Sequence, residues 1–337
     1  MRWFSFWVEN VLLLGYGNAP CSVDAGTVGR RPRSEAEEGF EGDRAYAVAQ
    51  LNGRIEILPQ RLSIMSANSL IEWTDNTWNP VRGCSKVSPG CAHCYAEAFA
   101  ERFRGVPGNA FEQGFDVRLA PWKLLEPLQW TSPKRIFVNS MSDLFHEEVP
   151  DRYIASAFEV MAAADWHTYQ ILTKRPERMR KMLKNDLEFA AGLPHIWWGV
   201  TVENKKHGLP RLGCLQKCDV AMRFLSCEPL LEDLGSVCFD GIDWVIVGGE
   251  SGPGARPVRK EWIVSLRDQC ESFRVPFYFK QWGGFPKGKL GCELDGKEYK
   301  ALPPMLELKA PCLAQRRHVE NDLHKQFWAL GVLDQAA

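Results

Sequence analysis

The chain lacks three things: a sizeable net charge, a long hydrophobic run and a second well-formed cysteine pair. Its 41 basic and 42 acidic residues leave a formal net charge of −1. No global field therefore draws it to nucleic acid, although a local basic groove is compatible with that balance. The apolar stretch 3–14 is broken by Glu9 and Asn10 and is too short to span a bilayer. Only Arg2 precedes it and no small-residue cleavage site follows, so it makes a poor signal peptide. These absences predict a cytoplasmic chain with no membrane contact. The eleven cysteines are odd in number and scattered, which argues against a disulfide framework.

What is present fits a globular protein. Hydrophobic residues make up 45% and charged residues 25% of 337 positions, enough for one large domain or two ordinary ones. The thirteen tryptophans should be mostly core or pocket wall.

The cysteines carry the sharpest signal. Cys84, Cys91 and Cys94 have six and then two residues between them, and Tyr95 follows directly at the start of an alanine-rich helical stretch, 94–103. Three thiolates on one loop can hold three irons of a cubane cluster and leave the fourth iron open, whereas electron-transfer clusters use four cysteines. The competing readings are a structural zinc site and unrelated thiols. Zinc wants four ligands, and no second pair is well defined. Cys214 and Cys218 have no other ligand signal around them, and the His93 ring sits between two of the thiols, poorly placed to reach the same ion. The other eight cysteines read as small buried hydrophobes.

Residues 1–64 differ from the rest. Segment 30–44 is charged and broken by Gly and Pro, as in disordered chain. The leader is either flexible or precedes a true translation start at Met65. Folded character begins after Met65, giving a domain over 65–290 and a C-terminal extension over 291–337. Short apolar runs at 135–139, 168–172, 196–202, 222–226, 243–247 and 276–280 read as strands buried on both faces. Helix candidates lie at 151–164, 177–184 and 261–273. Repeated strand–helix units predict an α/β fold: a parallel, incomplete six-stranded (β/α)6 TIM-like barrel, with an open sheet as the alternative.

Polar residues follow each strand at once, and in parallel α/β folds those ends build the active site. Ser140, Ser142 and Asp143 follow the 135–139 run. Lys174, Glu203, Glu228, Glu250 and Lys280 follow later ones, and the cysteine loop follows a first strand-like run at 78–82. All should face one mouth. Gly248-Gly249 is either a plain turn or a point of close backbone approach to a ligand.

The three-cysteine loop resembles that of the radical SAM superfamily, with a longer first spacing than the usual three residues. A closer resemblance is to an uncharacterised family common in phages, prophages and bacteria. It rests on WTDNTWNP at 73–80, the cysteine loop, VNSMSDLF at 138–145, LTKRP at 172–176, WGVTVEN at 198–204, FLSCEPL at 224–230, VIVGGESG at 245–252 and FKQWG at 279–283. The superfamily resemblance implies a 4Fe–4S cluster on Cys84, Cys91 and Cys94 that binds S-adenosylmethionine (SAM) and generates a 5′-deoxyadenosyl radical, fed by an electron donor. The superfamily's Gly-Gly-Glu near the second strand is replaced here by Ser140, Ser142 and Asp143. The expected SAM pocket adds Lys174, Glu203, Glu228, Gly248, Gly249 and Glu250, with Trp198, Trp244 or Trp282 as shields.

A nucleic-acid or nucleoside-type substrate is a further expectation. It rests on the phage association and on the basic residues Lys174, Arg175, Arg178, Arg180, Lys181 and Lys184, a run that is more often one solvated helix face. The alternative is a non-catalytic nucleic-acid-binding module stabilised by zinc or a cluster. A barrel enzyme whose cluster is only structural is a third reading.

Overall fold

The computed structural model describes residues 47–51, 54–58, 69, 71–286 and 290–334. The chain divides into two compact units, Met1–Ala67 and Asn68–Ala337. In the first, Ala47–Leu51 pairs antiparallel with Arg54–Leu58. The remainder of the expected flexible leader lies outside the described residues.

The second unit is built on one parallel sheet of seven strands: β1 (Asn76–Trp78), β2 (Arg135–Val138), β3 (Thr168–Thr173), β4 (Ile196–Thr201), β5 (Arg223–Cys227), β6 (Trp244–Gly248) and β7 (Phe277–Gln281). Each strand pairs in parallel with the next in sequence. The result is a mixed α/β unit with the sheet curled into a half-barrel. β1 and β7 stand at its two ends and do not pair with each other.

The expected six strands are corrected to seven. The first ladder runs over Asn76–Trp78, earlier than the 78–82 run suggested. Pro80 has no N–H to give a ladder. Val81–Arg82 instead turns away and pairs antiparallel with Arg118–Leu119.

Crossovers carry the helices. After α1 (Tyr95–Ala100), α2 (Asp151–Ala163) joins β2 to β3, α3 (Pro176–Leu183) joins β3 to β4 and α4 (Lys205–Leu215) joins β4 to β5. α5 (Lys260–Phe273) joins β6 to β7, and α6 (Leu313–Ala329) closes the chain. Alternation along the strands splits the apolar residues into two layers. Ile136, Ile171, Trp198, Val200, Leu225, Val245 and Phe279 belong to the large helix-side core. Phe137, Trp197, Phe224, Trp244, Ile246 and Tyr278 pack in a second cluster, together with Trp73. Leu323 and Phe327 of α6 and Leu294 are buried in the helix-side core, so the described segment 291–334 packs into the same unit. Among the described residues, no helix is long and apolar enough to cross a membrane.

One buried acid in this packing yields a pH-dependent prediction. Glu159 on α2 is 6% exposed and accepts a hydrogen bond from Gln326 of α6 at 2.8 Å. Burial pushes its carboxyl up to about 7, from an ordinary 4.5. The folded chain therefore keeps a proton that the unfolded chain loses earlier. The associated stability is full below the unfolded value and is lost as pH rises through about 7. Glu159→Gln should stabilise the protein increasingly between pH 5 and pH 8, by a gain of about 2 kcal/mol. Denaturant midpoints of both proteins at the two pH values check this; parallel pH profiles would reject it.

Candidate active site

The cysteine loop lies across the C-terminal ends of the strands. Gly83 makes its entry possible. Its φ of 76° is left-handed, and a Cβ there would sit 2.1 Å from the Asp116 carbonyl oxygen. The Gly83 N–H reaches the Met141 carbonyl at 3.1 Å, and the Cys84 N–H reaches that of Phe115 at 3.2 Å. Past the 3-10 turn Pro89–Cys91, Cys94 is the residue before α1.

Four strand ends touch this loop. The Tyr95 hydroxyl donates to the Ser140 carbonyl after β2 at 2.5 Å. Arg175, after β3, donates to the Cys84 sulfur at 3.5 Å. The Glu203 side chain, after β4, sits about one van der Waals contact from Gly90, whose Cβ would meet it at 3.1 Å. His93 Nδ1 stands 3.0 Å from Glu250 Oε2, after β6. Arg256 binds the same Glu250 carboxylate and donates to the Pro89 carbonyl at 2.9 Å. A cavity of about 430 Å³ lies against Cys84 and Ser85, walled by residues 115–118 and Glu148.

The charges at the strand ends are largely taken up in ion pairs. Glu203 is fully buried and bound by Arg211 of α4. Lys280 meets Glu228 at 3.0 Å, and Ser226 donates to the other Glu228 oxygen at 3.3 Å. Gly248 allows this approach, since a Cβ there would stand 2.7 Å from Glu228 Oε1. Gly249 is packed against the Trp282 carbonyl. Burial pushes the Glu250 carboxyl up, but the Arg256 side chain and N–H and the His93 ring outweigh it and hold it at about 2. Lys174 is half-buried and makes no ion pair among the described residues.

Asp143 sits on the cysteine side of the mouth, with both oxygens engaged. Oδ1 accepts from the Thr173 hydroxyl at 2.8 Å and the Phe145 N–H at 3.0 Å. Oδ2 accepts from the Lys174 N–H at 3.1 Å and from Arg175 at 3.2 Å. It ties the end of β2 to the end of β3. Ser140 and Ser142 are tied to Asn79 and the Val81 carbonyl, at 3.2 and 2.8 Å.

Of the three tryptophans expected as shields, Trp198 stacks on Phe158 in the helix-side core, 4.9 Å between rings. Trp244 packs with Trp73 and Trp197 in the second cluster. Trp282 packs edge-on against Phe279.

The basic run also reads differently in three dimensions. Arg175 is 6% exposed, and Arg178 is bound by the His146 and Val149 carbonyls and Asp151. These two cations serve the fold rather than a solvent-facing patch.

The thiols suit a cluster in their chemistry. All three are free and partly exposed, on one loop. Burial and the nearby Asp143 push the Cys84 thiol up to about 11, against the pull of Arg175, so metal binding there must displace a proton. Among the described residues no three His, Cys, Asp or Glu side chains are grouped to hold a single ion. A cubane places each thiolate on a different iron, so its sulfurs stand farther apart than the ligands of one ion. Two buried polar groups at the strand ends fit a polar ligand as well. Both amide atoms of Asn139 and Oε1 of Glu203 lack a hydrogen-bond partner among the described residues. Asn139 is 3% exposed and holds φ 60° at the end of β2; such strain in a non-glycine residue clusters at functional sites.

Sequence reasoning missed the roles of His93, Arg256 and Asn139, and took Arg175 for surface charge. The only available signal was position: each lies inside or beside a strand-end motif.

A half-barrel whose strand ends carry a three-cysteine loop and a row of ion pairs defines a class of α/β protein with a polar site at its mouth. The family model DUF5131, a protein of unknown function, matches residues 68–303. The chain belongs to this family. No curated protein and no solved structure matches it.

Proposed function

We propose that this chain is a radical-SAM-like iron–sulfur enzyme, with Cys84, Cys91 and Cys94 holding three irons of a 4Fe–4S cluster. One observation carries the reading: the three-cysteine loop spans the C-terminal mouth of a parallel half-barrel and touches the ends of β2, β3, β4 and β6. Catalytic groups of such sheets gather at that edge. When bound, the cluster supplies the electron that cleaves SAM to a 5′-deoxyadenosyl radical.

The chain's own residues bind and orient. Lys174 suits the SAM carboxylate, and Glu228 the ammonium, with Lys280 and Ser226 setting its position. Ser140 and Ser142 bring the backbone after β2 close to the ligand, while Gly248 makes room for Glu228 and Gly249 for the Trp282 carbonyl. Glu203, Glu250 and Asp143 hold the loop against the strand ends. The hydrogen donor we propose, the substrate, is nucleoside-type, and a cytoplasmic electron donor for the cluster completes the set.

The test is anaerobic reconstitution with iron and sulfide, followed by SAM and dithionite. The expected product is 5′-deoxyadenosine, increased by the true substrate when DNA, RNA and nucleosides are offered in turn. A protein that takes up zinc but no iron with sulfide would move the reading to a zinc-stabilised binding module.

Asn139 adds a second check. Glycine accepts φ 60° without strain and removes two unpaired buried atoms. Asn139→Gly is expected to hold or raise the melting temperature while weakening SAM retention by the loaded protein. A lower melting temperature with unchanged SAM binding would make the amide a structural group.

A further inference from the structure

We propose that Arg175 is a positioning residue for the cluster, fixing the Cys84 sulfur and raising the potential at which the cluster takes up an electron. The proposal rests on the cluster reading above. Arg175 is a buried cation at the end of β3, 6% exposed. Its Nη1 donates to Cys84 Sγ at 3.5 Å and to Asp143 Oδ2 at 3.2 Å. Its Nη2 donates to the Ser85 carbonyl at 3.3 Å and the Ser85 hydroxyl at 2.9 Å. Its Nε sits 3.0 Å from both Glu147 oxygens. One planar fork thus grips the first cysteine, the residue after it and two carboxylates from the loop after β2.

The surrounding groups hold the fork in place. The Arg175 N–H bonds the Thr173 hydroxyl at 2.9 Å, and that hydroxyl bonds Asp143. His146 is buried and stands 2.7 Å from the Ser85 hydroxyl through Nε2. Its Nδ1 accepts the Glu148 N–H at 3.2 Å, so Nε2 carries the proton and donates to Ser85. A guanidinium with this much support is aimed at the sulfur rather than resting near it.

The consequence is electrostatic. Hydrogen bonds to cluster sulfurs and local charge are among the terms that set a cluster's reduction potential. A cluster gains one negative charge when it takes one electron from an external one-electron reductant. The Arg175 cation favours that reduced form, while Asp143 and Glu147 oppose it. With the cation gone, the Asp143 carboxylate stands by the cysteine side of the mouth without its partner, and Glu147 loses its own.

The experiment reconstitutes the full chain and the variants Arg175→Gln, Arg175→Lys and Glu147→Gln. It measures iron and sulfide per chain and titrates reduction by the electron paramagnetic resonance signal. Arg175→Gln should be reduced at a more negative potential than the parent. Lysine, which keeps the charge but not the fork, should recover part of the shift. Glu147 has a side chain 66% exposed, so Glu147→Gln folds independently of the outcome and should be reduced more easily. If Arg175→Gln does not fold, the lysine and Glu147 variants carry the comparison. Loaded variants that titrate with the parent overturn the role of Arg175 and leave the cluster reading standing. A parent that takes up no iron overturns both.

Discussion

Alanine at Cys84, Cys91 or Cys94, one at a time, is expected to abolish retention of iron and sulfide after reconstitution and desalting. On the proposed reading each thiolate would hold a different iron, so removing one would leave an iron without a protein bond. The fold should not follow. All three cysteines lie on a partly exposed loop outside the apolar core, and substitutions away from core, caps and buried polar networks usually cost within about 0.5 kcal/mol. Unloaded variants should therefore melt with the unloaded parent. Cys84→Ala, which loses the contact to Arg175, is the one expected to depart slightly. Cys270→Ala is the control. Cys270 is fully buried in the helix-side core, so its loss should lower stability by about 1 kcal/mol and leave iron content unchanged. Parent-like iron and sulfide in all three loop variants would remove the cysteines from any metal role.

The second large effect concerns Glu203. Its side chain is fully buried, one oxygen is held by Arg211, and the other has no partner among the described residues. Arg211 is itself 6% exposed and also donates to the Thr201 carbonyl at 3.2 Å. Removing one partner of a buried ion pair strands the other charge, at about 3–5 kcal/mol. Arg211→Met, which roughly keeps the volume, should lower the melting temperature by roughly 10 °C. The double variant Arg211→Met with Glu203→Gln should recover most of that loss, since no charge is left stranded. A small effect of Arg211→Met would mean that Glu203 reaches solvent or a ligand in solution. Retained SAM binding in the double variant would confine Glu203 to holding the loop.

Much of the fold was legible in the chain. Strands β2 to β7 fall within one residue of the apolar runs at 135–139, 168–172, 196–202, 222–226, 243–247 and 276–280, because strands buried on both faces must be apolar throughout. Helix α2 follows from its helical apolar spacing, and its buried positions include Ile154, Phe158 and Met161. Helix α4 was not legible: Gly208 and Pro210 sit within Lys205–Leu215 and both weaken the helical pattern. It is held by the Asn204 side chain, which accepts the His207 N–H at 2.8 Å, and by Leu212 and Leu215 in the core. The first strand was misplaced by the strand-like look of 78–82, where Pro80 ends the ladder.

By itself, the sequence determined that polar residues crowd the strand ends and that three cysteines sit on the loop after the first strand. Both are properties of local order: a parallel strand must leave the core at a known end, and six and two residues fix how far apart three thiols lie along the chain. Only the tertiary structure decided which charges are spent and which remain available. Glu228 meets Lys280 across two strands, Glu203 meets a helix cation, and Glu250 meets Arg256 and His93. Arg175, in a run that reads as solvated charge, turns inward to a cysteine 91 residues away. Ion pairs and hydrogen bonds depend on distances of a few ångströms through space. Those distances come from strand register and loop path, which no spacing along one chain encodes.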